Sequence, residues 1–406
     1  MPHAPSHFLQ TRLGHVRAMS AAGGLDALIV TSLPNISYLT NFRGSAAIAV
    51  LTEDRVLFLT DFRYVAAVEA MASGPGACPG LALARVESSY DETLAEVVRD
   101  FGAARVGFEA SHVTAGRLSR LAAVTGGRCG SERGAGGQGG PVGRVKGPEF
   151  VPTERLVESV RVRKDPHEIA TIQKAAAMLS AAVPAIVKEV GAGRLEREVA
   201  AVIDFRLRQA GFERPAFETV VAGGPNAALP HARPGDRPLA DGDLVVLDFG
   251  GVYDGYCVDL TRTVAVARAD AEVRRVYAAV LEAHQAAVGA VRPGRSRHAI
   301  DKAAREALGR HGLAEAFGHS TGHGLGIEVH EEPRISRRRP SEMGQSSAGS
   351  PLAPPEEEPV DAGMVFTIEP GAYIAGWGGV RIEDDVLVTP DGVAMLTTAP
   401  RDLIVV

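Results

Sequence analysis

The chain has 406 residues, of which 45% are hydrophobic, and its net charge is −6. This length predicts two domains, because a single hydrophobic core rarely grows beyond about 250–300 residues. The scattered basic residues exclude nucleic acid and anionic membranes as partners, and the three widely spaced cysteines argue against a disulfide framework and a cysteine-rich zinc site.

The N-terminal part of the chain predicts an α/β domain. Residues 1–25 contain no continuous apolar stretch, and no apolar run approaches the roughly 20 residues needed to span a bilayer. Strand-like runs rich in Val, Ile and Leu, such as LDALIVTS (25–32) and RVLFLTD (55–61), then alternate with the helical pattern of DETLAEVVRDFG (91–102). We therefore predict a soluble, cytoplasmic protein with an α/β accessory domain over residues 1–130.

A second domain is predicted after a glycine-rich stretch. Residues 131–150 have too few apolar side chains to form a core and are predicted to be a flexible linker or insertion. The second domain is expected over residues 160–406, with a helix start signal at Asp165-Pro166, and helices and β-hairpins then alternate twice. Within it, residues 336–359 are rich in charge, Pro and Ser and are predicted to be a disordered insertion.

Two predicted hairpins each present a pair of acids. Asp248 and Asp259 are equidistant from a turn centred at Tyr253/Asp254, so antiparallel pairing is expected to place them opposite each other. Glu369 and Glu383 are related in the same way in the second hairpin. Like charges in apolar strands are destabilising unless a cation lies between them. Because the pattern recurs, a divalent cation is favoured over four unrelated acids at strand ends.

Histidines lie between the two hairpins. His319, His323 and His330 occur among glycines in FGHSTGHGLGIEVHEEP, and one imidazole is expected to complete the ligand set. Four carboxylates and one imidazole favour manganese or cobalt, with iron or zinc as alternatives, and they suffice for two ions. Such a centre polarises a carbonyl and activates water, which predicts hydrolysis of an amide. No GxSxG elbow indicates a serine nucleophile.

Four motifs carry a family resemblance: LDFGGVYDGYCVDLTRT, HSTGHGLGIEVHEEP, FTIEPGAYI and GVRIEDD occur in this order. With them, the chain resembles the pita-bread metallopeptidases, specifically Xaa-Pro aminopeptidases and prolidases. The run ISYLTNFRGSAAIAVLTEDRVLFLTDFRY resembles the family's accessory domain. The resemblance implies an α+β protein in which a creatinase-type α/β N-terminal domain precedes a pita-bread (creatinase/aminopeptidase-like) catalytic domain with a curved antiparallel sheet.

The resemblance also implies a site with two divalent ions, for which manganese is preferred and cobalt, zinc or iron are alternatives. Asp259 and Glu383 are expected to bridge the ions. The complete implied set of metal ligands is Asp248, Asp259, His323, Glu369 and Glu383. Glu369 is in addition expected to shuttle a proton from the attacking water.

Further positions are implied to act on the substrate. His231 and His330 resemble the two histidines that bind substrate and stabilise the tetrahedral intermediate. His319 resembles a pocket-lining histidine, and Arg381 resembles an arginine that orients the site. Arg334, four residues beyond His330, is a candidate for holding a substrate's C-terminal carboxylate in the manner of a prolidase.

The predicted function is that of an Xaa-Pro aminopeptidase, which cuts the bond before proline at the N-terminus of short peptides. The alternative is an Xaa-Pro dipeptidase (prolidase), and the sequence leaves the choice between dipeptides and longer peptides open. A homodimer is expected. Two other classes are less favoured: a non-catalytic binding protein, because all five implied ligands are present, and a hydrolase or lyase of a small non-peptide substrate. The large N-terminal domain argues against a methionine aminopeptidase.

Overall fold

The computed structural model describes residues 4–129, 147–338 and 358–406. The chain divides into two compact units, Met1–Arg161 and Val162–Val406. Most of the predicted linker at 131–150 and of the predicted insertion at 336–359 lies outside the described residues, and for those residues both remain predictions.

In the first unit, helices and strands alternate along the chain. In chain order they are α1 (Ser6–Ala22), β1 (Ala27–Val30), α2 (Leu33–Thr40), β2 (Ile48–Leu51), β3 (Val56–Asp61), α3 (Phe62–Met71), β4 (Leu81–Val86), α4 (Tyr90–Phe101), β5 (Arg105–Glu109), α5 (Ala115–Thr125), β6 (Arg128–Cys129), β7 (Glu149–Thr153) and α6 (Leu156–Arg161).

Among the described residues, these strands form one seven-stranded mixed sheet in the order β4-β3-β2-β1-β5-β7-β6. The apolar runs form its buried strands because burial on both faces favours continuous Val, Ile and Leu. Helix α4 begins at the N-cap Ser89, whose side chain accepts a hydrogen bond from the Glu92 N–H, and ends at Gly102 in the left-handed region. The predicted α/β character of this unit is confirmed.

The first unit extends beyond the predicted boundary at residue 130. Strand β7 pairs in parallel with both β5 and β6, so it belongs to the first unit's sheet. Phe150, which the sequence placed in the linker, is fully buried in the core with Ile29 and Phe108. The sequence missed this strand because it follows a glycine-rich stretch and its apolar run is short.

The second unit also alternates helices with strands. In chain order these are α7 (Pro166–Val187), α8 (Glu196–Ala210), β8 (Arg214–Pro215), β9 (Val220–Gly223), β10 (Leu244–Tyr253), β11 (Tyr256–Ala265), α9 (Ala271–Ala290), α10 (Arg297–Arg310), β12 (Gly322–Gly324), β13 (Glu331–Ile335), β14 (Val365–Ile368), β15 (Gly371–Ile374), β16 (Gly378–Arg381), β17 (Asp384–Thr389), β18 (Gly392–Met395) and β19 (Ile404–Val405), with 3-10 turns at Gly224–Ala228 and Ala314–Ala316.

The strands of the second unit form largely antiparallel sheets. Within the described residues, the sheets run β19-β11-β10-β8, with β9 also on β10, then β13-β12-β14-β17-β18, and the pair β15-β16. One hydrophobic cluster joins α7 and α8 to β10 and β11, and a second joins α9 and α10 to β14, β16 and β17. The helices therefore cover the apolar faces of the strands, and the polar side chains that alternate with the apolar ones point away from these helices.

Helix α7 starts where the sequence predicted. The Asp165 side chain accepts a hydrogen bond from the Glu168 N–H, and the Glu168 side chain accepts one from the Asp165 N–H, which together form a capping box. The helix is long and apolar enough to cross a membrane by length and composition alone. Its residues Ile172, Leu179 and Val183 are instead buried in the core of the second unit.

Candidate active site

The first acidic hairpin has a different register from the one predicted. Asp248 lies opposite Thr261 and Gly250 lies opposite Asp259, so the two aspartates are not direct partners. The turn is the pair Asp254-Gly255, with φ of 47° and 75°, because an Asp-Gly pair favours the two-residue hairpin turn that needs positive φ at both positions. An offset of two residues keeps both aspartates on the same face, as diagonal neighbours.

The second acidic hairpin matches the predicted register. The ladder of β14 and β17 ends with Ile368 opposite Asp384, and the ladder of β15 and β16 continues with the same register. Glu369 and Glu383 therefore lie opposite each other in the gap between the two ladders. The backbone N–H groups of both glutamates donate to carbonyls of neighbouring segments instead, at 2.7 and 3.1 Å.

A buried cluster forms where the two hairpins meet β12. One ligand atom from each of Asp259, His323 and Glu383 lies within 4.8 Å of the other two, and these residues are only 4, 6 and 2% exposed. Glu369 lies beside them, with its Oε1 3.6 Å from His323 Nε2. The Asp259 Oδ1 atom is buried and accepts no hydrogen bond from any described residue. An unpartnered buried carboxylate oxygen within such a cluster fits a metal ion.

The orientation of His323 also fits a metal ligand. Its Nδ1 lies 3.1 Å from the Gly324 carbonyl oxygen, which can only accept, so Nδ1 carries the proton. The Nε2 lone pair then faces the carboxylates. Burial and the nearby His330 lower the pKa of His323 to about 3, so the ring is neutral. A neutral imidazole with its second nitrogen held by a carbonyl is the usual form of a histidine ligand.

Burial disfavours the charged form of the carboxylates in this cluster. Burial raises the pKa of Glu369 to about 7, against an ordinary value of 4.5. Burial, together with the neighbouring carboxylates, raises the pKa values of Asp259 and Glu383 well above their usual range. Such shifts disappear when a cation lies between the acids. The residues present therefore fit a divalent metal centre with hard oxygen ligands and one imidazole.

Asp248 lies outside the three-residue group and has a cationic partner. Arg381 donates from one guanidinium nitrogen to Asp248 Oδ2 at 2.5 Å and from another to the Tyr373 hydroxyl at 2.8 Å. The Tyr373 hydroxyl lies 2.8 Å from His319 Nε2, which extends the chain of hydrogen bonds. Arg381 thus orients Asp248. The resemblance had implied only that this arginine orients the site. Tyr373 was not predicted, although it lies two residues beyond Gly371 on the face that Glu369 shares.

All ten predicted site residues line one cavity of about 500 Å³. They are His231, Asp248, Asp259, His319, His323, His330, Arg334, Glu369, Arg381 and Glu383. Phe217, Val220 and Val329 add apolar surface to the wall. A cavity with a polar end, where the acids converge, and a partly apolar wall can bind a small ligand with both characters.

Two residues that sequence reasoning missed support the acids from behind. Thr261 donates from its hydroxyl to Glu383 Oε2 at 2.6 Å, and Asp385 Oδ2 accepts from the Asp259 N–H at 3.0 Å. Thr261 lies two residues after Asp259, in LTRT, and Asp385 lies two residues after Glu383, in IEDD. Because side chains alternate between the faces of a strand, this spacing was a signal that both face the site. Thr261 thus holds the Glu383 carboxylate, and Asp385 holds the backbone at Asp259, before any ion binds.

The stability of the metal-free protein is expected to fall as pH rises from about 5 to about 7. The raised pKa of Glu369, about 7, means that the folded state binds a proton more tightly than the unfolded state, whose value is near 4.5. This contribution is present below the unfolded pKa and is lost as pH rises through the folded pKa. Urea unfolding in chelator, followed through Trp377, the single tryptophan of the chain, measures it.

Glu369→Gln provides the control for this pH dependence. The variant should lose stability less steeply over the same pH window than the wild type, because it lacks the titrating carboxyl. Added manganese should flatten the wild-type dependence. Equal slopes for the wild type and the variant would contradict the assignment.

Comparisons with known proteins identify the family to which the chain belongs. Residues 170–390 match metallopeptidase family M24, and residues 12–131 match the creatinase/prolidase N-terminal domain. An Xaa-Pro dipeptidase of Pyrococcus furiosus is 40% identical over 256 residues, which cover 63% of this chain and 69% of that protein.

Solved structures are similar over nearly the whole chain. An Xaa-Pro dipeptidase from Bacillus anthracis has a TM-score of 0.85 at 31% identity and covers 98% of this chain and 100% of its own. An X-Pro aminopeptidase from Thermotoga maritima has a TM-score of 0.79 at 30% identity, and the match covers 94% of this chain and 98% of that protein.

These findings confirm the predicted fold class, in which a creatinase-type accessory domain precedes a pita-bread catalytic domain. They also confirm that the protein is a metallopeptidase, and the family implies a divalent metal. The chain belongs to metallopeptidase family M24.

Proposed function

We propose that this protein is an Xaa-Pro dipeptidase, which hydrolyses the bond between an N-terminal residue and a C-terminal proline. This was the alternative to the predicted Xaa-Pro aminopeptidase. The similar proteins support the change of emphasis, because the Pyrococcus furiosus relative is named a dipeptidase and the Bacillus anthracis dipeptidase has a higher TM-score than the Thermotoga maritima aminopeptidase.

The observation that carries the proposal is the position of Arg334. It lies on β13 directly opposite His323, is exposed, and lines the cavity. Among the described residues, no carboxylate forms an ion pair with its side chain, whereas Arg233, also on the wall, pairs with Glu218 at 3.4 Å. Arg334 is therefore available to bind an anion. The C-terminal carboxylate of an Xaa-Pro dipeptide supplies one beside the scissile bond, and a longer peptide has an uncharged amide there.

The other cavity residues have separate roles in the proposed hydrolysis. When bound, divalent ions would polarise the scissile carbonyl and lower the pKa of a water. Glu369 is placed to take a proton from that water and to pass it to the departing nitrogen. His231 and His330 reach the cavity from other segments and can donate hydrogen bonds to the oxygen that becomes negative in the transition state. Phe217 and Val220 offer an apolar surface for a side chain or the proline ring.

Several finer assignments belong to this proposal. We expect two ions, with Asp259 and Glu383 between them, and manganese as the preferred metal because the ligands are mostly hard oxygens. A homodimer in the cytoplasm remains our expectation from the sequence.

The proposal is tested with chelator-stripped protein. Release of proline from an Xaa-Pro dipeptide is measured beside release of the first residue from an Xaa-Pro-Yaa tripeptide, with and without manganese. Metal-dependent cleavage that favours the dipeptide supports the proposal. Preference for the tripeptide would restore the aminopeptidase, and failure to cut either with any divalent ion would favour a binding protein or a non-peptide substrate.

Arg334→Ala should lower kcat/KM for the dipeptide by about 10- to 100-fold, because a hydrogen bond to a charged group contributes about 1.5–3 kcal/mol. The same variant should change cleavage of the tripeptide by less than about threefold, since that substrate has an uncharged amide where the dipeptide has its carboxylate. Arg337→Ala, at an exposed arginine on the same segment that does not line the cavity, is the matched control. Equal losses of kcat/KM for the two substrates would contradict the proposal that Arg334 binds the substrate's carboxylate.

A further inference from the structure

The segment that carries His231 has little regular structure. It leaves β9 at Gly223, passes through the 3-10 turn Gly224–Ala228, and reaches β10 at Leu244. His231 is exposed within it and lines the cavity. We call residues 224–235 the histidine loop. Because sheet pairing does not hold this loop, other contacts must fix the position of His231.

Glu196, outside the cavity, makes such contacts at both ends of the histidine loop. Its Oε1 accepts hydrogen bonds from the Gly223 N–H at 2.8 Å and from the Asn226 side-chain amide at 3.0 Å. Its Oε2 accepts from the Gly235 N–H at 3.1 Å. Glu196 is only 1% exposed, so these bonds form away from water.

The start of helix α8 reinforces this arrangement. Glu196 is the first residue of α8, where the helix dipole favours a negative charge. The backbone N–H groups of Glu196 and Arg197 donate to the carbonyls of Arg237 and Gly235, at 3.2 and 3.1 Å. One helix end thus binds both ends of the histidine loop, through a buried carboxylate that accepts hydrogen bonds from Gly223, which directly precedes the loop, and from Asn226 and Gly235 within it.

We infer that Glu196 is a positioning residue that fixes the histidine loop, and with it His231, against the active-site cavity. The inference rests on the proposed function for its kinetic consequence. A hydrogen-bonded carboxylate suits this task because charge-assisted bonds are stronger than neutral ones, and three donors from two loop ends converge on one rigid group. Loss of the charge should loosen the loop and leave the metal ligands untouched.

Glu196→Gln is the diagnostic variant, because a neutral amide has one acceptor oxygen where the carboxylate has two. We expect kcat/KM for the Xaa-Pro dipeptide to fall at least about tenfold, since small misplacements of a substrate-binding group are costly. In a His231→Ala background the same change should cost less than about twofold, because its effect passes through His231. Bound metal should stay at the wild-type level.

Glu198→Gln is the matched control. Glu198 lies in the same helix turn, is exposed, and contacts the Leu195 N–H and Arg194 but not the histidine loop. This variant should change kcat/KM by less than about twofold in either background. If the fold-losses in kcat/KM of Glu196→Gln and His231→Ala multiply in the double variant, the two residues act independently, and the inference is overturned.

Amide hydrogen exchange gives a readout that does not depend on activity. Exchange in residues 224–235 should be at least about tenfold faster in Glu196→Gln than in the wild type or in Glu198→Gln. Asn226→Ala, which removes a single donor, tests the same point if Glu196→Gln fails to fold. Unchanged exchange overturns the positioning role, whereas a wild type that cuts no Xaa-Pro peptide refutes only the proposed function.

Discussion

Replacing Asp259 or Glu383 by Ala is expected to lower kcat/KM for an Xaa-Pro dipeptide by more than about 100-fold, since loss of residues that merely support metal ligands already costs about 10- to 100-fold. Both carboxylates belong to the buried group that also includes His323, and each acidic hairpin contributes one of them. Water can fill the space that either side chain leaves, but it does not supply the fixed negative charge that holds a metal ion. Metal bound per chain, measured after dialysis, should fall together with activity.

This loss can be separated from unfolding. In the metal-free protein, Asp259 and Glu383 repel each other, and burial together with this repulsion raises the pKa of each. Removing one acid relieves that repulsion, so neither variant should unfold at a lower urea concentration than the metal-free wild type. Asp241→Ala, at an exposed acid outside the cavity, should retain activity and metal. Metal-dependent turnover within tenfold of the wild type in either variant would refute the shared site.

The sequence located the acids well because strand geometry is regular. Side chains alternate between faces, so acids at matching distances from a turn must share a face. For Glu369 and Glu383 the turn centre was read correctly and the predicted pair is observed. For Asp248 and Asp259 the centre was misplaced by one residue, which shifted the register by two. The error did not change the face, because the true offset between the two aspartates is two residues.

Partners that are distant in sequence could not be predicted in the same way. The contact between Arg381 and Asp248 spans 133 residues, and that between Glu196 and Gly235 spans 39. Neither pair shows a periodic pattern, since each partner lies on a different element and the contact depends on how those elements pack. Glu196 in particular reads as an ordinary acid in the first turn of a helix.

The acid next to Glu383 belongs to such a network. Asp384 is fully buried, and its Oδ1 accepts hydrogen bonds from the Arg262 guanidinium and the Thr397 hydroxyl, both at 2.8 Å. Its Oδ2 accepts from Arg401 at 2.5 Å and lies 3.1 Å from His284 Nε2. Burial alone would raise the pKa of Asp384, but His284 and the cations lower it, so the carboxylate is charged.

Arg262 connects this network to the active site. Its guanidinium also donates to the backbone carbonyls of Thr261 and Glu383, at 2.9 and 2.6 Å. The side chain is 2% exposed, so its charge has no access to water. The pair formed by Arg262 and Asp384 therefore joins β11 to β17, the two strands whose residues support the central carboxylates.

Asp384→Ala is expected to lower the free energy of unfolding of the catalytic unit by about 3–5 kcal/mol, because it leaves the Arg262 charge buried without its carboxylate. Urea unfolding followed by Trp377 fluorescence reports on this unit, since the tryptophan lies between β15 and β16. Glu272→Ala, which removes an exposed partner of Arg275, should leave the midpoint unchanged within error. The double variant Asp384→Leu with Arg262→Met should recover part of the loss, because neither residue then carries a buried charge. If the double variant is no more stable than Asp384→Ala, the packing of the side chains, and not the ion pair, stabilises the contact between these strands.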